Sequence, residues 1–387
     1  MEPLVLSSRD MNRALILEAV LESGSLTRTE IAAVTGVSMP SISRMVNELL
    51  GEGFLVEGLM DERDGVGRRS QHINASPHLG CVAGFDLGIY MSRAVITDLS
   101  GNRLASIEKE TPAGASAADL ADWIANELRV LQNEALPPIA PVLQLVLSLP
   151  ARVSGETILA ALGAELVNLE GSEFSARLAE ALPCPFLLET DAMAGLVDQL
   201  NDGEARGVPD VVLISVSQAL TAAIALDGQP RRGHSNSVGA IASLRFGAAD
   251  ERVGDVATSV GVARELDRAG RSIDGWSELL NGTEVSPAIR AIRERFVAAL
   301  ATATAALCSA VDPQLVIFDG RAAPLVEHLL GQLHKRLVAS LPVVPRLHVI
   351  TEAGLFSSAR GAAVLARQKA RRHILDQLHA ARRPIDW

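Results

Sequence analysis

The sequence predicts an α/β protein with a small helical N-terminal domain and a larger body made of two lobes. Near the N-terminus, apolar side chains recur with helical spacing. Further along, a strand, a loop, a second strand and a turn follow one another twice, over residues 81–103 and 211–232. A chain of 387 residues is also too long for one ordinary hydrophobic core, so two or three domains are expected.

The composition disfavours several classes of protein. Hydrophobic residues make up 48% of the chain and aromatic residues 3%, which is typical of a packed α/β protein and not of a disordered one. No apolar run reaches about 18 residues, and the N-terminus lacks the basic and apolar segments of a secretory signal, so neither a membrane span nor secretion is expected. The scattered cysteines Cys81, Cys184 and Cys308 favour a reducing cytoplasm over a disulfide framework.

The charge balance restricts how the protein could hold nucleic acid. The net charge is −11, and residues 1–80 carry 7 basic and 11 acidic side chains. A surface of this sign does not attract phosphates in general. Any contact with DNA must therefore come from a few well-placed groups, with weak and salt-sensitive non-specific affinity.

Two helices are predicted at the N-terminus. Apolar residues from Met11 to Leu21 follow helical spacing, and Gly24 ends this first helix. Thr27 and Glu30 then form a capping box, in which each side chain satisfies a backbone N–H of the other residue. The second helix ends at Gly36, because glycine tolerates the tight turn between two crossed helices.

The third helix carries the predicted recognition surface. Ser38 is its expected N-cap, and Pro40 is tolerated in its first turn. Its buried stripe consists of Ile42, Met45, Val46, Leu49 and Leu50. Its opposite face presents Met39, Ser41, Ser43 and Arg44. These groups lie at the end of the helix where a recognition helix meets base edges and phosphates.

A β-hairpin is predicted directly after the third helix. Two strand-like segments flank the turn-rich stretch DERDGVGRR, whose Arg63, Arg68 and Arg69 could reach the DNA backbone or the minor groove. We therefore predict a winged helix-turn-helix over residues 1–78 that binds double-stranded DNA. The residues assigned to this contact are Thr27, Ser38, Met39, Pro40, Ser41, Ser43, Arg44, Arg68 and Arg69. A three-helix bundle used only for dimer packing is the alternative.

The repeated pattern predicts the architecture of the body. The stretches CVAGFDLGIYMSRAVITDLSGNR and VVLISVSQALTAAIALDGQPRR share the order of apolar run, polar loop, apolar run and turn. Such self-similarity suggests two related lobes with a cleft between them. Further apolar strands alternate with amphipathic helices, which fits two actin- or hexokinase-like lobes of the ribonuclease H-like class.

Motifs along nearly the whole chain indicate a family. The helical domain ending in GRRSQHINA is followed, in order, by GFDLG, LSLPARVSGETI, VNLEG, LLETDAMAGLVDQL, AVDPQLVIFDG and SSARGAAVLA. The chain thereby resembles the ROK family of repressors, open reading frames and kinases, and in particular its xylose- and N-acetylglucosamine-responsive repressors. The resemblance implies a ligand cleft between the lobes and a C-terminal helix that folds back on the first lobe.

The stretches that hold ATP phosphates in the family's kinases are altered. After the first strand of the body, Asp86 and Gly88 remain but Ile89 and Tyr90 follow them. The second phosphate loop, Ser215–Thr221, contains no glycine. A phosphate cradle needs backbone amides that side chains do not obstruct, so phosphoryl transfer from ATP is not expected. We predict that the protein is not an enzyme and that it needs no cofactor.

The stretch that matches the family's zinc site is altered as well. Ala240 stands where the resemblance places a sugar-binding Glu, and Ser243 stands where it places a zinc-binding His. No cysteine lies between Cys184 and Cys308, so thiolate ligands are missing too. We therefore predict no structural metal.

The resemblance implies a reduced ligand pocket. Asn168 and Asp191 match family residues that contact a sugar. Asp255 loosely matches a Glu of the zinc segment, and His234 lies on a loop that closes over the cleft in relatives. Plainer explanations are a turn for Asn168, a helix N-cap for Asp191 and an exposed side chain for His234. With the sugar-binding Glu and the zinc-binding His missing, the pocket offers fewer polar partners for the hydroxyl groups of a sugar. A buried hydroxyl group without a partner costs about 1–3 kcal/mol. Either the ligand therefore differs from common hexoses, or the body senses no ligand.

Together these features predict a cytoplasmic transcriptional regulator that acts as a repressor. It is expected to form a homodimer or larger oligomer and could respond to a sugar or sugar derivative. The predicted domains are residues 1–78, a first lobe of 79–190 completed by a C-terminal helix of 359–387, and a second lobe of 191–358. A residual sugar kinase and a ligand-blind DNA-binding dimer are the alternatives.

Overall fold

A computed structural model describes residues 8–60, 70–134, 140–162, 164–271, 278–280, 286–351 and 356–380. A helical head is followed by two lobes, each built on a mixed β-sheet, and a long helix near the C-terminus returns to the head. The predicted fold class is confirmed.

The head is a helix-turn-helix followed by a hairpin. In chain order its elements are α1 (Ser8–Ser23), β1 (Ser25–Thr27), α2 (Arg28–Thr35), α3 (Met39–Gly51), β2 (Leu55–Met60) and β3 (Gln71–Ala75). The strands pair antiparallel in the order β1-β3-β2. Strand β1 was not predicted from the sequence, because so short a strand is defined by its pairing with β3 and not by a local pattern.

Local signals in the head are mostly as predicted. The capping box of Thr27 and Glu30 is present, and Gly36 ends α2 in the left-handed conformation. Ser38 is the N-cap of α3, as predicted, but its hydroxyl makes no capping hydrogen bond and instead donates to the Ser41 hydroxyl at 3.1 Å. Of the predicted stripe on α3, Leu50 is only half-buried while the other members are buried.

The first lobe surrounds a mixed sheet. Its elements are β4 (Cys81–Asp86), β5 (Met91–Asp98), β6 (Arg103–Glu110), α4 (Ala117–Glu134), β7 (Val142–Leu149), β8 (Ala151–Ser154), β9 (Thr157–Ala161), α5 (Glu173–Ala181) and β10 (Phe186–Thr190). The sheet has the order β10-β7-β4-β5-β6. Strands β4, β5 and β6 form an antiparallel meander, and β7 and β10 then add in parallel.

The second lobe repeats this topology. Its elements are α6 (Asp191–Asp202), β11 (Val211–Val216), β12 (Leu220–Leu226), β13 (Gln229–Arg231), β14 (Arg245–Phe246), β15 (Glu251–Arg252), α7 (Val253–Val256), α8 (Ser259–Arg268), α9 (Pro287–Val311), β16 (Leu315–Asp319), α10 (Ala323–Ser340) and β17 (Arg346–Val349). The sheet order is β13-β12-β11-β16-β17, again a meander followed by two parallel strands. The duplication predicted from the repeated pattern is confirmed.

Helix α9 is the core helix of the second lobe. It is long and apolar enough to cross a membrane by length and composition, but half of its apolar window is buried inside the protein. Ile289, Phe296 and Leu300 join the main hydrophobic cluster of that lobe. Its apolar character is therefore accounted for by packing within the lobe.

The C-terminal helix α11 (Ser357–Ala380) packs against α6 and β4 at very short range. A Cβ atom at Gly361 would overlap the carbonyl oxygen of Ala194 in α6. A Cβ atom at Gly84 would overlap the carbonyl oxygen of Ala359. Glycine at these two positions therefore lets the backbones of the helices and the strand touch.

Polar contacts hold the same crossing in register. Arg360 donates to the two carboxylate oxygens of Asp198 in α6, at 2.9 and 2.7 Å. The Ser357 hydroxyl donates to the same carboxylate at 2.9 Å. Because Asp198 is buried and Arg360 forks onto it, the position of α6 is coupled to that of α11.

Helix α11 also fixes the head to the body. Arg371 donates from Nε to the carbonyl oxygen of Leu99 at 2.7 Å and from Nη2 to that of Leu21 in α1. Leu99 follows β5, so one guanidinium connects the head with the first lobe. Val20 of α1 and Ile374 of α11 lie in one hydrophobic cluster around this contact.

The predicted domain limits of 78/79, 190/191 and 358/359 stay a prediction. Helix α6 packs on α11 and also on β11 and β12, so it is shared between the lobes.

The Gly361→Ala substitution is expected to destabilise the protein by about 1–3 kcal/mol, because the added methyl group overlaps the backbone of α6. The matched control is Gly331→Ala in α10, where a Cβ would meet nothing within 4 Å. That control is expected to gain up to about 1 kcal/mol from helix propensity. Urea unfolding of both variants provides the measurement, and similar effects at the two sites would contradict the packing argument.

The Arg371→Met substitution is expected to loosen the head, because it leaves the Leu21 and Leu99 carbonyls without their donor at a cost of about 1–3 kcal/mol. The substitution should increase the rate of amide hydrogen exchange in α1 more than it increases the rate in the body. Arg336→Met, at an exposed position of α10, serves as the control. Unchanged exchange in α1 would show that the head is held by the apolar cluster alone.

Candidate functional site

The exposed surface of the head includes the first turns of α3. Ser38, Met39, Pro40 and Arg44 are exposed, and Ser41 and Ser43 are half-buried. The structure thus brings these six assigned residues together at one helix end. None of the described side chains pairs with Arg44. The backbone N–H groups of a helix N-terminus carry partial positive charge, which suits contact with a phosphate.

Arginines of α1 compensate the acidic side chains of α3. Arg9 pairs with Glu48 at 2.9 Å, and Arg13 pairs with Glu52. Both glutamates lie at the C-terminal end of α3 or just beyond it, away from the exposed first turns. The acidic balance of the head therefore does not place unpaired glutamates of α3 beside Arg44.

One residue assigned to DNA contact is a structural cap. Thr27 is 8% exposed, and its hydroxyl both accepts the Glu30 N–H and contacts the Glu30 carboxylate. This corrects the assignment of Thr27 to the DNA surface. Its neighbour Arg28 donates to Asn47 of α3 at 3.0 Å and so ties the two helices together.

The arginines assigned to the tip of the hairpin, Arg68 and Arg69, lie outside the described residues, as does Arg63. The strands that lead to this tip, β2 and β3, are both described, and they follow α3 directly. Contact between these arginines and DNA stays a prediction.

A cavity of about 510 Å³ lies between the two lobes. Among the described residues, its carboxylates come from three element ends: Asp86 ends β4, Asp319 ends β16 and Asp191 begins α6. Since β4 and β16 belong to the repeated sheets, their carboxyl ends open toward the same cleft. The fold therefore brings together acidic side chains that lie far apart in the sequence.

Burial raises the pKa of each of these carboxyl groups. The pKa of Asp86 rises to about 6, and those of Asp191 and Asp319 rise to about 7. For Asp191 the charge of Asp86 adds to the effect of burial, whereas a hydrogen bond from Ser215 opposes burial at Asp319. One oxygen of Asp319 has no hydrogen-bond partner among the described residues. Near neutral pH such a cluster can both accept hydrogen bonds and donate them to a ligand's hydroxyl groups.

Side chains occupy the region where the resemblance places the phosphate loops. The Ser217 hydroxyl accepts the N–H of Arg321 at 3.1 Å, so this amide is not free to bind an anion. The Arg321 guanidinium lies over the ring of Tyr90 with 5.9 Å to its centroid. Tyr90 belongs to the first lobe and Arg321 to the second, and both line the cavity. The contact therefore spans the cleft and narrows it.

Asp191 is the assigned ligand residue that lines this cavity. Its explanation as a helix N-cap is wrong, because the N-cap of α6 is Thr190, whose hydroxyl accepts the Met193 N–H at 3.2 Å. The Asp191 carboxylate accepts the N–H of Ala192 at 2.8 Å and a longer contact of 3.4 Å from the Thr221 hydroxyl. It is thus held in place at the cleft.

The other assigned ligand residues do not reach the cavity. Asn168, His234 and Asp255 are all exposed, and none of them is among the described residues that line it. Asn168 donates its side-chain amide to the carbonyl of Ala115 at 2.9 Å. The structure therefore does not bring the four assigned residues together, and ligand contact by these three stays a prediction.

Asp319, Arg93 and Arg321 also line the cavity, although no role was predicted for them from the sequence. An acidic residue that ends an apolar strand, as in VIFD, is the signal that could have marked Asp319. No comparable signal marks Arg93. The pairing of β5 with β6 puts Arg93 opposite Glu108, and the two side chains form an ion pair at 2.6 Å.

Within the described part of the chain, no group of three or more His, Cys, Asp or Glu side chains is arranged to hold a metal ion. Ser243 lies in the short 3₁₀ turn Ile241–Ser243 and is exposed. Cys81, Cys184 and Cys308 are buried and free. Burial raises the pKa of the Cys81 thiol to about 12 and that of Cys184 to about 11, so these groups are packed as neutral apolar side chains.

Comparison with known proteins finds similarity to one family within the body. Residues 82–249 match the model of the ROK family. The xylose repressor of Caldicellulosiruptor bescii is 22% identical over 248 residues, which is 63% of this chain and 60% of that repressor. The chain therefore spans about three fifths of the length of that relative. A transcriptional regulator of Mycobacterium bovis is 24% identical, and the match covers 94% of this chain and 86% of that protein.

Solved structures show the same fold. A ROK family transcriptional regulator, a homologue of the E. coli MLC protein, superposes with a TM-score of 0.73 at 17% identity and covers 96% of this chain and 98% of its own. A ROK hexokinase of Thermus thermophilus gives a TM-score of 0.61 at 20% identity and covers 76% of this chain. The regulator thus extends over nearly the whole chain, whereas the hexokinase leaves about a quarter of it unmatched.

The fold and the cavity define a two-lobed protein of the hexokinase-like class that carries a winged helix-turn-helix head. Residues 82–249 resemble the ROK family, and the fold of nearly the whole chain is that of a solved ROK family regulator. The head lies before the residues that the family model matches.

The Asp319→Asn substitution is expected to change how stability depends on pH. An unfolded Asp titrates near pH 4, whereas the buried group titrates near 7, so the native carboxyl destabilises the fold increasingly as the pH rises between these values. The variant should therefore gain stability over the wild type at pH 8, by at most about 4 kcal/mol, and lose that gain by about pH 4.

Thermal unfolding of both proteins from pH 4 to pH 8 measures this difference. Asp267→Asn, at an exposed position of α8, controls for the removal of a surface charge. A gain for Asp319→Asn that is the same at every pH would mean that its carboxyl group does not titrate with a raised pKa.

Proposed function

We propose that this protein is a DNA-binding transcriptional repressor of the ROK family whose affinity for its operator depends on a small polyhydroxyl ligand in the interlobe cavity. The observation that carries the proposal is the exposed N-terminal end of α3, with Arg44 unpaired among the described residues, on a head that Arg371 connects to the two-lobed body. Relatives named as repressors and regulators support the same function.

The DNA contact is assigned to α3 and the hairpin after it. A recognition helix needs small or donor side chains at its exposed end, and Ser38, Ser41 and Arg44 supply them. Because the chain as a whole is acidic, attraction to DNA must be local. Binding should therefore be specific to a sequence and sensitive to salt.

The ligand is assigned to the class of sugars or sugar derivatives. Carboxyl groups that share protons near neutral pH can pair with several hydroxyl groups at once, and Asp86, Asp191 and Asp319 provide such a set. The relatives named as xylose repressors support this class. Which sugar fits depends on the side chains that close the cleft, including Tyr90 and Arg321.

A route from the cavity to the head follows from the contacts. Asp191 begins α6, and Asp198 on the next turns of α6 is held by Arg360 of α11. Helix α11 then reaches α1 through Arg371. A ligand that prefers one arrangement of the lobes would shift α6 against the first lobe, and α11 would carry that shift to the head.

A residual sugar kinase is the second candidate, because Asp191 keeps the position of a general base and its pKa is raised to about 7. The amide of Arg321, which is already bonded to Ser217, argues against a phosphate cradle at this place. An assay of ATP-dependent phosphorylation across a sugar panel separates the two functions. Turnover that is lost in Asp191→Asn would favour the kinase.

We further propose that the protein works in the cytoplasm as a homodimer. Two heads related by a twofold axis would meet two half-sites, about one helical turn of DNA apart.

The function is tested by fluorescence anisotropy of the full chain on DNA from its own upstream region, at two salt concentrations and with a panel of sugars. We expect tight binding that resists competitor DNA and that one sugar weakens. Binding that no sugar changes would leave a ligand-blind DNA-binding dimer. The absence of sequence-specific binding would contradict the proposed function.

The Arg44→Ala substitution is expected to weaken specific DNA binding by about 1–3 kcal/mol, because it removes a side chain that can reach a base or a desolvated phosphate. Arg336→Ala on α10 removes an exposed arginine that is not part of the head and should leave the affinity unchanged. Equal affinities for wild type and Arg44→Ala would mean that the recognition face lies elsewhere on the head.

A further inference from the structure

A second cavity, of about 380 Å³, lies at the edge of the sheet of the first lobe. Strand β10 is the edge strand there, and the cavity is closed by α11 and by the loop that follows β13. It shares no lining residue with the interlobe cavity. Its chemistry can therefore be considered separately.

One wall of this cavity is a face of α11. The lining side chains on this face recur at three- and four-residue intervals and are Leu365, Gln368, Lys369 and Arg372. Residues with this spacing lie on one side of a helix. The buried stripe of this helix uses other positions, from Ala362 through Ala366 and Ala370 to Ile374, and of the cavity-lining residues Leu365 also packs against it. Packing of α11 in the core therefore does not account for the cationic side chains on the cavity face.

Positive charge collects at the cavity. Lys369 and Arg372 are exposed, and neither makes a hydrogen bond or an ion pair with a described residue. Arg232 enters from the opposite side and donates from Nε to Glu189 at 3.1 Å. The Glu189 carboxylate is the acidic group among the described residues that line the cavity, and Arg232 already engages it. The cavity thus carries a surplus of positive charge on a chain whose net charge is −11.

The floor of the cavity is apolar. Val146, Leu188 and Met193 line it and are 1%, 8% and 5% exposed. Buried apolar side chains below convergent polar groups are the usual composition of a small-molecule site. A guanidinium fork together with a lysine ammonium suits the several oxygens of a phosphate.

We infer that this second cavity binds a small organic phosphate monoester. Lys369 and Arg372 hold the phosphate, and Arg232 adds a third donor from across the cavity. The organic part of the ligand lies on Val146, Leu188 and Met193. The inference does not depend on DNA binding or on the interlobe cavity. Arg372 follows Arg371, whose guanidinium donates to the carbonyl oxygen of Leu21 in the head. A ligand held by Arg372 would therefore bind next to the residue that connects α11 with the head.

Isothermal titration calorimetry of the full chain at low ionic strength provides the test, with phenyl phosphate as the probe. Phenol has the same ring without the charge, and inorganic phosphate has the charge without the ring. We expect saturable binding of phenyl phosphate that is about tenfold or more tighter than that of either fragment, since both parts of the site are then used. Raised salt should weaken it.

Variants locate the site. The double variant Lys369→Glu/Arg372→Glu reverses the charges of the α11 face and should weaken phenyl phosphate by about tenfold or more. Leu187→Glu adds a negative charge at a lining position of β10 that is 39% exposed, and should weaken it independently. Lys335→Glu/Arg336→Glu reverses two exposed charges on α10 and serves as the matched control.

Circular dichroism melting confirms that each variant is folded. Loss of affinity in both cavity variants and not in the control would support the inference. No binding by the wild type, equal binding of phenol, or binding that survives both cavity variants would overturn it. Each of these results is obtained without DNA, so none of them depends on the proposed repressor function.

Discussion

The close crossing of α6, α11 and β4 is the constraint on which the rest of the structure depends. Gly361 and Gly84 have no side chain because the backbones of neighbouring elements occupy that space. The crossing puts Asp198 within reach of Arg360, and it brings the C-terminal half of α11 to the head. Since packed backbones do not deform continuously, this crossing fixes the positions of the three elements relative to one another.

Charge is distributed so that an acidic chain can present separate sites of either sign. The glutamates at the end of α3 are paired with arginines of α1, which leaves the first turns of α3 with Arg44 as their charged group. In the cleft, burial keeps acidic side chains partly protonated near neutral pH, so they are not simply repelled by one another. The net charge of −11 therefore does not describe any one of these surfaces.

The same fold occurs in a solved ROK family regulator and in a solved ROK hexokinase. Here Ser217 bonds the amide of Arg321, and Tyr90 lies against the guanidinium of the same residue. These contacts join the lobes at a place where a nucleotide would need open backbone. The acidic groups at the strand ends line the same cleft, where they can pair with hydroxyl groups.

The sequence by itself determined the features that depend on neighbouring residues and on repetition. Helical periodicity, the Thr27–Glu30 capping box and the glycine cap at Gly36 are local, and the duplicated strand pattern specified two related lobes. Tertiary structure alone decided which distant residues meet. Strand β1 pairs with β3, and Asp319 lies in the cleft with Asp86 and Asp191. Asn168 lies outside this cavity and donates to a backbone carbonyl instead. Such long-range contacts depend on how helices and sheets pack, so the spacing of residues along the chain does not predict them.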